Sequence, residues 1–193
     1  MIYLFISDNS FTNAQIEKYR LYANAFFTGA RSVDVIKAGG LIPGSKGRRV
    51  PKTFLETEVQ SRNVWGDTQY RTCGDRGILF KLKKYRPDNS YAMLCITMKD
   101  LYPGPNWGYC FGWASYNEGV GAFSFLRYDP SWDGIEDPDK EKNMLMRGCH
   151  IMCHEIGHQF GLRHCIYYEC LMNGVNSPKE QRDGGIKLLC PVC

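Results

Sequence analysis

No stretch of this sequence approaches the roughly 20 consecutive apolar residues that a membrane-spanning helix needs. The apolar run at residues 2–6 lacks a cationic lead-in, an apolar segment of adequate length and a small-residue cleavage site, so it is not expected to act as a secretion signal. A strong charge bias is missing as well. The 24 lysines and arginines exceed the 20 aspartates and glutamates by four, too few to imply a nucleic-acid partner without a local patch. Cysteine, by contrast, is plentiful. Nine cysteines would suggest disulfides in a short secreted protein, but four of them have metal-ligand spacing and the other five cannot all pair. A reducing compartment is the simpler account, and an intracellular, cytoplasmic or nuclear, location is expected. At 193 residues the chain is long enough to bury a real core as one domain.

The densest chemistry lies in the run His154-Glu155-Ile156-Gly157-His158-Gln159-Phe160-Gly161-Leu162-Arg163-His164. On a helix, a spacing of four turns His158 only about 40° from His154, so both imidazoles leave one face and can share an ion, with Glu155 beside it. Gly161, which lacks a Cβ, can take positive φ and turn the chain back under the metal, delivering His164 as a third ligand. Three imidazoles leave a fourth tetrahedral position open for water, as a catalytic zinc requires. Cys165 and Cys170, followed by Cys190 and Cys193, form two thiolate pairs of the kind that close a four-cysteine zinc site. Two zinc ions per chain are therefore expected, one catalytic and one structural.

This run, together with Met172, resembles the archaemetzincin family of metzincin zinc peptidases, and Asp100-Leu101-Tyr102-Pro103 and the segment 119–125 resemble its eukaryotic-type members. The resemblance implies a metzincin-like fold in which Met172 is the methionine of the turn beneath the zinc. It also implies an antiparallel edge strand above the zinc helix that binds extended substrate by adding it to the sheet, and residues 107–116 are placed there.

Taken in order, the chain reads as alternating strands and helices. Residues 2–6 read as a buried strand. Thr12 or Asn13 is positioned to cap a helix with Ile16, Tyr19, Ala23, Phe26 and Phe27 at helical spacing, and Gly29 supplies its stop. Residues 32–36 read as a second strand, and 39–49 as a flexible basic segment. Arg71-Thr72-Cys73-Gly74-Asp75 superficially resembles the blocking segment of some secreted metzincins. It lies between structural elements rather than in a removable prosegment, so it reads as a helix start with Thr72 or Asp75 near the cap and Ile78, Leu79, Leu82 and Tyr85 following. Residues 91–98 suit a strand covered on both faces. Residues 107–116 and 120–128 are strand-like and separated by a short turn, so one of them should be antiparallel to the rest. After a loop at 129–139, Pro138 suits the first turn of a long helix carrying His154 and His158. Cys149 and Cys153 on that helix are rotated away from His154 and should face the core.

The expected architecture is an α/β (α+β), metzincin-like domain over 1–193. A twisted, mostly parallel mixed sheet with an antiparallel edge strand and the active-site helix would occupy 1–161, and a small zinc-stapled subdomain 162–193. The expected activity is hydrolysis of peptide bonds in a peptide or protein substrate. Zinc held by three neutral imidazoles lowers the pKa of bound water toward about 7, and Glu155 is placed as the general base. Two other classes remain open from sequence: a zinc-stabilised binding module with weak or no hydrolysis, which the intact Glu155 opposes, and a DNA-associated protease, for which no dedicated nucleic-acid module is evident.

Overall fold

The structure, a computed structural model, describes residues 1–27, 32–64, 66–174, 177 and 188–193. Strand β1 (Ile2–Ile6) is buried throughout. Helix α1 (Asn13–Phe26) begins at a capping box: Thr12 Oγ1 accepts from the Gln15 backbone N–H, and Gln15 Oε1 accepts from the Thr12 backbone N–H. The stop expected at Gly29 lies outside the described residues. Then follow β2 (Val33–Lys37), α2 (Phe54–Glu58), β3 (Ser61–Val64), β4 (Asp67–Arg71), α3 (Ile78–Leu82, running on as a 3-10 turn over Lys83–Tyr85), β5 (Ala92–Thr97), β6 (Asp100–Tyr102), β7 (Gly112–Ala114), β8 (Val120–Ser124) and α4 (Lys140–Gln159).

The main sheet has the order β2-β1-β5-β8-β7. Its first four strands are parallel, with Leu4 opposite Leu94 and Leu94 opposite Gly121, and β7 closes the edge antiparallel to β8, with Trp113 opposite Ala122. Side-chain alternation divides the core in two. Ile2, Leu4, Ile6, Ala92, Leu94 and Ile96 face α1 and α4, whereas Tyr3, Phe5, Met93 and Cys95 face Phe54 and Leu55 of α2 and Ile78 and Leu82 of α3. Burial on both faces is why residues 2–6 and 91–98 read as nearly unbroken apolar runs.

Several expectations need correction. The strand expected over 107–116 is confined to Gly112–Ala114, because Cys110 N–H bonds the Leu101 carbonyl and draws the preceding segment toward a second sheet. That sheet, β3-β4-β6, carries largely polar strands and was not anticipated. The strand expected over 120–128 ends at Ser124, whose Oγ accepts from Leu126 N–H and starts a 3-10 turn over Leu126–Tyr128. A further 3-10 turn, Pro130–Asp133, occupies the expected loop, and Pro138 precedes the α4 N-cap, Asp139, instead of lying inside the first turn. Neither Thr72 nor Asp75 caps α3. Its N-cap is Gly77, and Thr72 bonds the Tyr102 carbonyl. The basic segment closes on itself through a bridge between Leu41 and Arg49.

A candidate metal centre and its cleft

Helix α4 is buried continuously from Gly148 to Gln159. Cys149 and Cys153 pack in the core it shares with α1, as their rotation from His154 requires. Its C-terminal end is tied to the sheet where Met93 N–H donates to Gln159 Oε1 at 3.0 Å. The end itself is a Schellman turn. Leu162 N–H bonds the Gly157 carbonyl and Gly161 N–H bonds the His158 carbonyl, with Gly161 at φ +90°, a conformation that disfavours any side chain. The reversal brings His164 back beside the helix. His154 and His158 lie 4.5 Å apart between ring centroids, with His164 at 5.3 and 5.0 Å, and one ring nitrogen of each lies within 4.8 Å of the others.

The protonation pattern follows from the backbone. His154 Nδ1 lies 2.8 Å from the Leu171 carbonyl and His158 Nδ1 lies 2.6 Å from the Leu162 carbonyl. A carbonyl only accepts, so each Nδ1 carries the proton and each Nε2 presents a lone pair. Burial, with the neighbouring His158 charge, lowers the His154 pKa to about 3, and burial lowers that of His158 as well. Neutral imidazoles are the metal-binding form.

Glu155 is buried beside them, and burial pushes its carboxyl up to about 8. Its Oε2 has no hydrogen-bond partner, whereas Oε1 lies so close to β7 that a Cβ on Gly112 would be 2.5 Å away. A buried carboxylate oxygen without a donor is costly unless something in the cleft serves it. The cleft in question encloses about 690 Å³ between β7 and α4 and is walled by Trp107, Trp113, Tyr116 and Tyr128. Tyr116 sits edge-on to His158 with centroids 5.2 Å apart. Part of the wall is held by charge: Arg127 makes two 2.7 Å hydrogen bonds to the buried Asp100 carboxylate and stacks 3.7 Å from the Tyr109 ring centroid.

The second cluster, Cys165, Cys170, Cys190 and Cys193, has its sulfurs within 4.8 Å of one another. Cys165 Sγ and Cys190 Sγ are 3.8 Å apart, about the edge of a tetrahedron with metal–sulfur bonds of about 2.3 Å. Cys170 Sγ accepts backbone N–H bonds from Met172 at 3.4 Å and Cys190 at 3.3 Å, which fix the sulfur in place. Both donor sets therefore fit zinc: nitrogens with an open side in one, sulfurs enclosing a point in the other.

Between the clusters runs Cys170-Leu171-Met172. The Leu171 carbonyl receives His154, the Met172 carbonyl receives Cys165 N–H at 2.8 Å, and Met172 Sδ lies where a Cβ on Gly157 would be only 2.7 Å away, beneath the histidine face of α4. Sequence reasoning passed over Asn173. Its Nδ2 donates to the Cys165 and Tyr168 carbonyls, and its Oδ1 accepts from Cys170 N–H. An asparagine beside the methionine is a turn signal that could have drawn attention to it. Gly112 and Tyr128 were missed too, and neither carries a local signal.

A mixed sheet over a long histidine-bearing helix, a glycine turn that returns a third imidazole, and a methionine beneath them define a metzincin-like protein. The chain belongs to peptidase family M54, which its residues 78–193 match. It is 38% identical over 139 residues to archaemetzincin-2 of Homo sapiens, covering 60% of this chain and 38% of that protein. To archaemetzincin-2 of Mus musculus it is 37% identical over 166 residues, covering 74% and 46%. The chain thus spans less than half the length of these relatives. Among solved structures, a zinc-dependent peptidase from Methanocorpusculum labreanum superposes with a TM-score of 0.72 at 21% identity, covering 100% of this chain and 97% of that one. The archaemetzincin of Methanopyrus kandleri superposes with a TM-score of 0.67 at 21% identity, covering 100% and 89%. Among the described residues, no helix is long and apolar enough to cross a membrane.

Proposed function

We propose that residues 1–193 form one zinc peptidase domain hydrolysing peptide bonds in peptide or protein substrates, with one catalytic and one structural zinc. His154, His158 and His164 would hold the first and Cys165, Cys170, Cys190 and Cys193 the second. Zinc in the histidine site supplies Lewis acidity, polarising a peptide carbonyl and acidifying water. The chain's own groups do the rest. The Leu171 and Leu162 carbonyls fix the tautomers of His154 and His158, and Met172 supports the helix from below. Glu155 takes a proton from water at Oε2 and returns it to the leaving amine, a contribution of about 10²- to 10⁴-fold.

The observation that carries this reading is Glu155 Oε2, buried and unpartnered beside three clustered imidazoles. A binding module has no use for an orphaned carboxylate, and a bound dication would pull its pKa back down into the working range. A reducing, intracellular setting belongs to the same proposal, because four thiols must stay reduced to hold a metal. The test is cleavage of a quenched-fluorescent peptide library by zinc-loaded protein, with Glu155→Gln as control. Cleavage lost in the control is expected. Cleavage equal in both would show that the histidine site does not perform it.

A further inference from the structure

Among the described residues, three buried side-chain polar atoms have no hydrogen-bond partner, and two of them, Glu155 Oε2 and the Tyr128 hydroxyl, belong to residues lining the same cleft. Tyr128 is 4% exposed, and its ring is fixed between Phe111 at 5.2 Å and Phe123 at 5.8 Å between centroids. Phe111 and Phe123 are tied to the strand pair that carries Gly112: Ser124 N–H bonds the Phe111 carbonyl, and Gly112 pairs with Phe123. Gly112 in turn abuts the Glu155 carboxylate. The tilted rings thus pack Tyr128 against the strand pair that abuts Glu155, near enough for the Glu155 charge to act on its hydroxyl.

A phenol buried by packing alone finds a protein partner or is replaced by phenylalanine, since an unsatisfied hydroxyl is destabilising. One donor and one acceptor, both orphaned and both on residues that line the cleft, ask for a single small molecule that accepts from one and donates to the other. Water does both. We propose that Tyr128 is a further catalytic residue, its hydroxyl donating a hydrogen bond to the oxygen of the water that Glu155 deprotonates. The inference rests on the peptidase reading above. In the reaction, an O–H bond of the water breaks and its proton passes to Glu155 Oε2, while the water oxygen bonds to the peptide carbonyl carbon and the C=O π pair moves onto the carbonyl oxygen. That pair then re-forms the C=O bond as the C–N bond breaks and Glu155 gives the proton to the amine. Tyr128 keeps its own proton throughout. Burial, reinforced by the nearby Glu155 charge, raises its ionisation well above the ordinary value of 10, so it remains a donor. Its bond to the water oxygen strengthens as negative charge develops there.

The substitution that tests this is Tyr128→Phe, which keeps the ring stack and removes only the hydroxyl. On any peptide the parent cleaves, kcat should fall by about 100-fold with KM little changed. Zinc affinity in chelator competition should match the parent, whereas a tyrosine that only supports the histidine site would change it together with kcat. A readout independent of turnover is a high-resolution crystal structure of the parent, which should hold one ordered water within hydrogen-bond distance of both Tyr128 Oη and Glu155 Oε2. Unchanged kcat in Tyr128→Phe, or a water that reaches only one of the two atoms, overturns the role of Tyr128. A parent that cleaves no peptide overturns the peptidase reading instead, and the shared water still decides whether the two side chains act on one molecule.

Discussion

Glu155 and Asp100 are two buried carboxylates with opposite fortunes. Asp100 is 3% exposed and satisfied by two bonds from Arg127, one from Gln69 and one from the Leu101 backbone N–H, whereas Glu155 keeps one oxygen free. The first arrangement is structural and the second is the one the proposed hydrolysis uses, which leads to two different expectations. Arg127→Ala should destabilise the fold by about 3 kcal/mol, because it strands a buried charge that two neutral donors, Gln69 and the Leu101 N–H, do not compensate. It should also loosen the Tyr109 ring on which Arg127 stacks. Denaturant unfolding measures this, and a loss within experimental error would show that water replaces the guanidinium. Glu155→Gln preserves shape while abolishing basicity. The protein should remain folded with its histidine site able to take up zinc, and hydrolysis should fall by at least about 100-fold. Zinc content by elemental analysis, together with kcat, separates loss of the base from loss of the metal.

Strand β7 is only three residues long, yet it forms one wall of the cleft and lies against the proposed base. Its Gly112 takes an ordinary backbone conformation and is required for space, since a Cβ there would be 2.5 Å from Glu155 Oε1. Gly112→Ala should push strand and carboxylate apart, lowering kcat by about 100-fold while leaving zinc content unchanged, because displacements near 1 Å at a reacting group have effects of that size. Wild-type turnover in this variant would mean that the Glu155 side chain can swing aside at no loss. That an antiparallel edge strand lies within 107–116 was legible in the sequence, but its restriction to three residues and this contact were not. The strands buried on both faces announced themselves as apolar runs, and α4 by the spacing of His154, His158 and Gly161, because in those elements side-chain type and local period agree. Strands β3, β4 and β6 did not, since their pairing is set by long-range hydrogen bonds such as Gln69 to Asp100 and is not visible in their largely polar residues. The two candidate ligand sets, which the structure brings into clusters that could hold a metal, were legible because a metal demands particular residue types at particular spacings. Tyr128 and Asn173 were not, because a hydroxyl and an amide acquire their roles only from where the fold puts them.

At the scale of the whole molecule, the two proposed metals sit at opposite ends of one short hydrogen-bonded path. Two zinc ions per chain are expected by elemental analysis, and a single ion with both ligand sets intact would contradict that count. The link between them is physical. Cys165 follows His164 directly, Cys165 N–H bonds the Met172 carbonyl, Leu171 holds His154 through its carbonyl, and Asn173 clasps the loop from Cys165 to Cys170. Consider Cys193→Ser, which removes one thiolate and touches none of the histidines. A three-thiolate site binds zinc less tightly, and since metal binding in so short a segment is folding energy, the segment from Cys165 to Met172 should loosen. Helix α4 should survive, because Cys149, Met152, Cys153 and Ile156 remain packed in the core. His154 and His164, however, would lose the backbone that orients them, and zinc affinity at the histidine site should drop by about 10- to 100-fold, the usual effect of removing support behind a ligand. Chelator competition on the parent and Cys193→Ser measures this directly. Equal affinity at the histidine site would mean that the four-cysteine cluster only staples its own loop, and that the Leu171 carbonyl keeps its place without help from the thiolates.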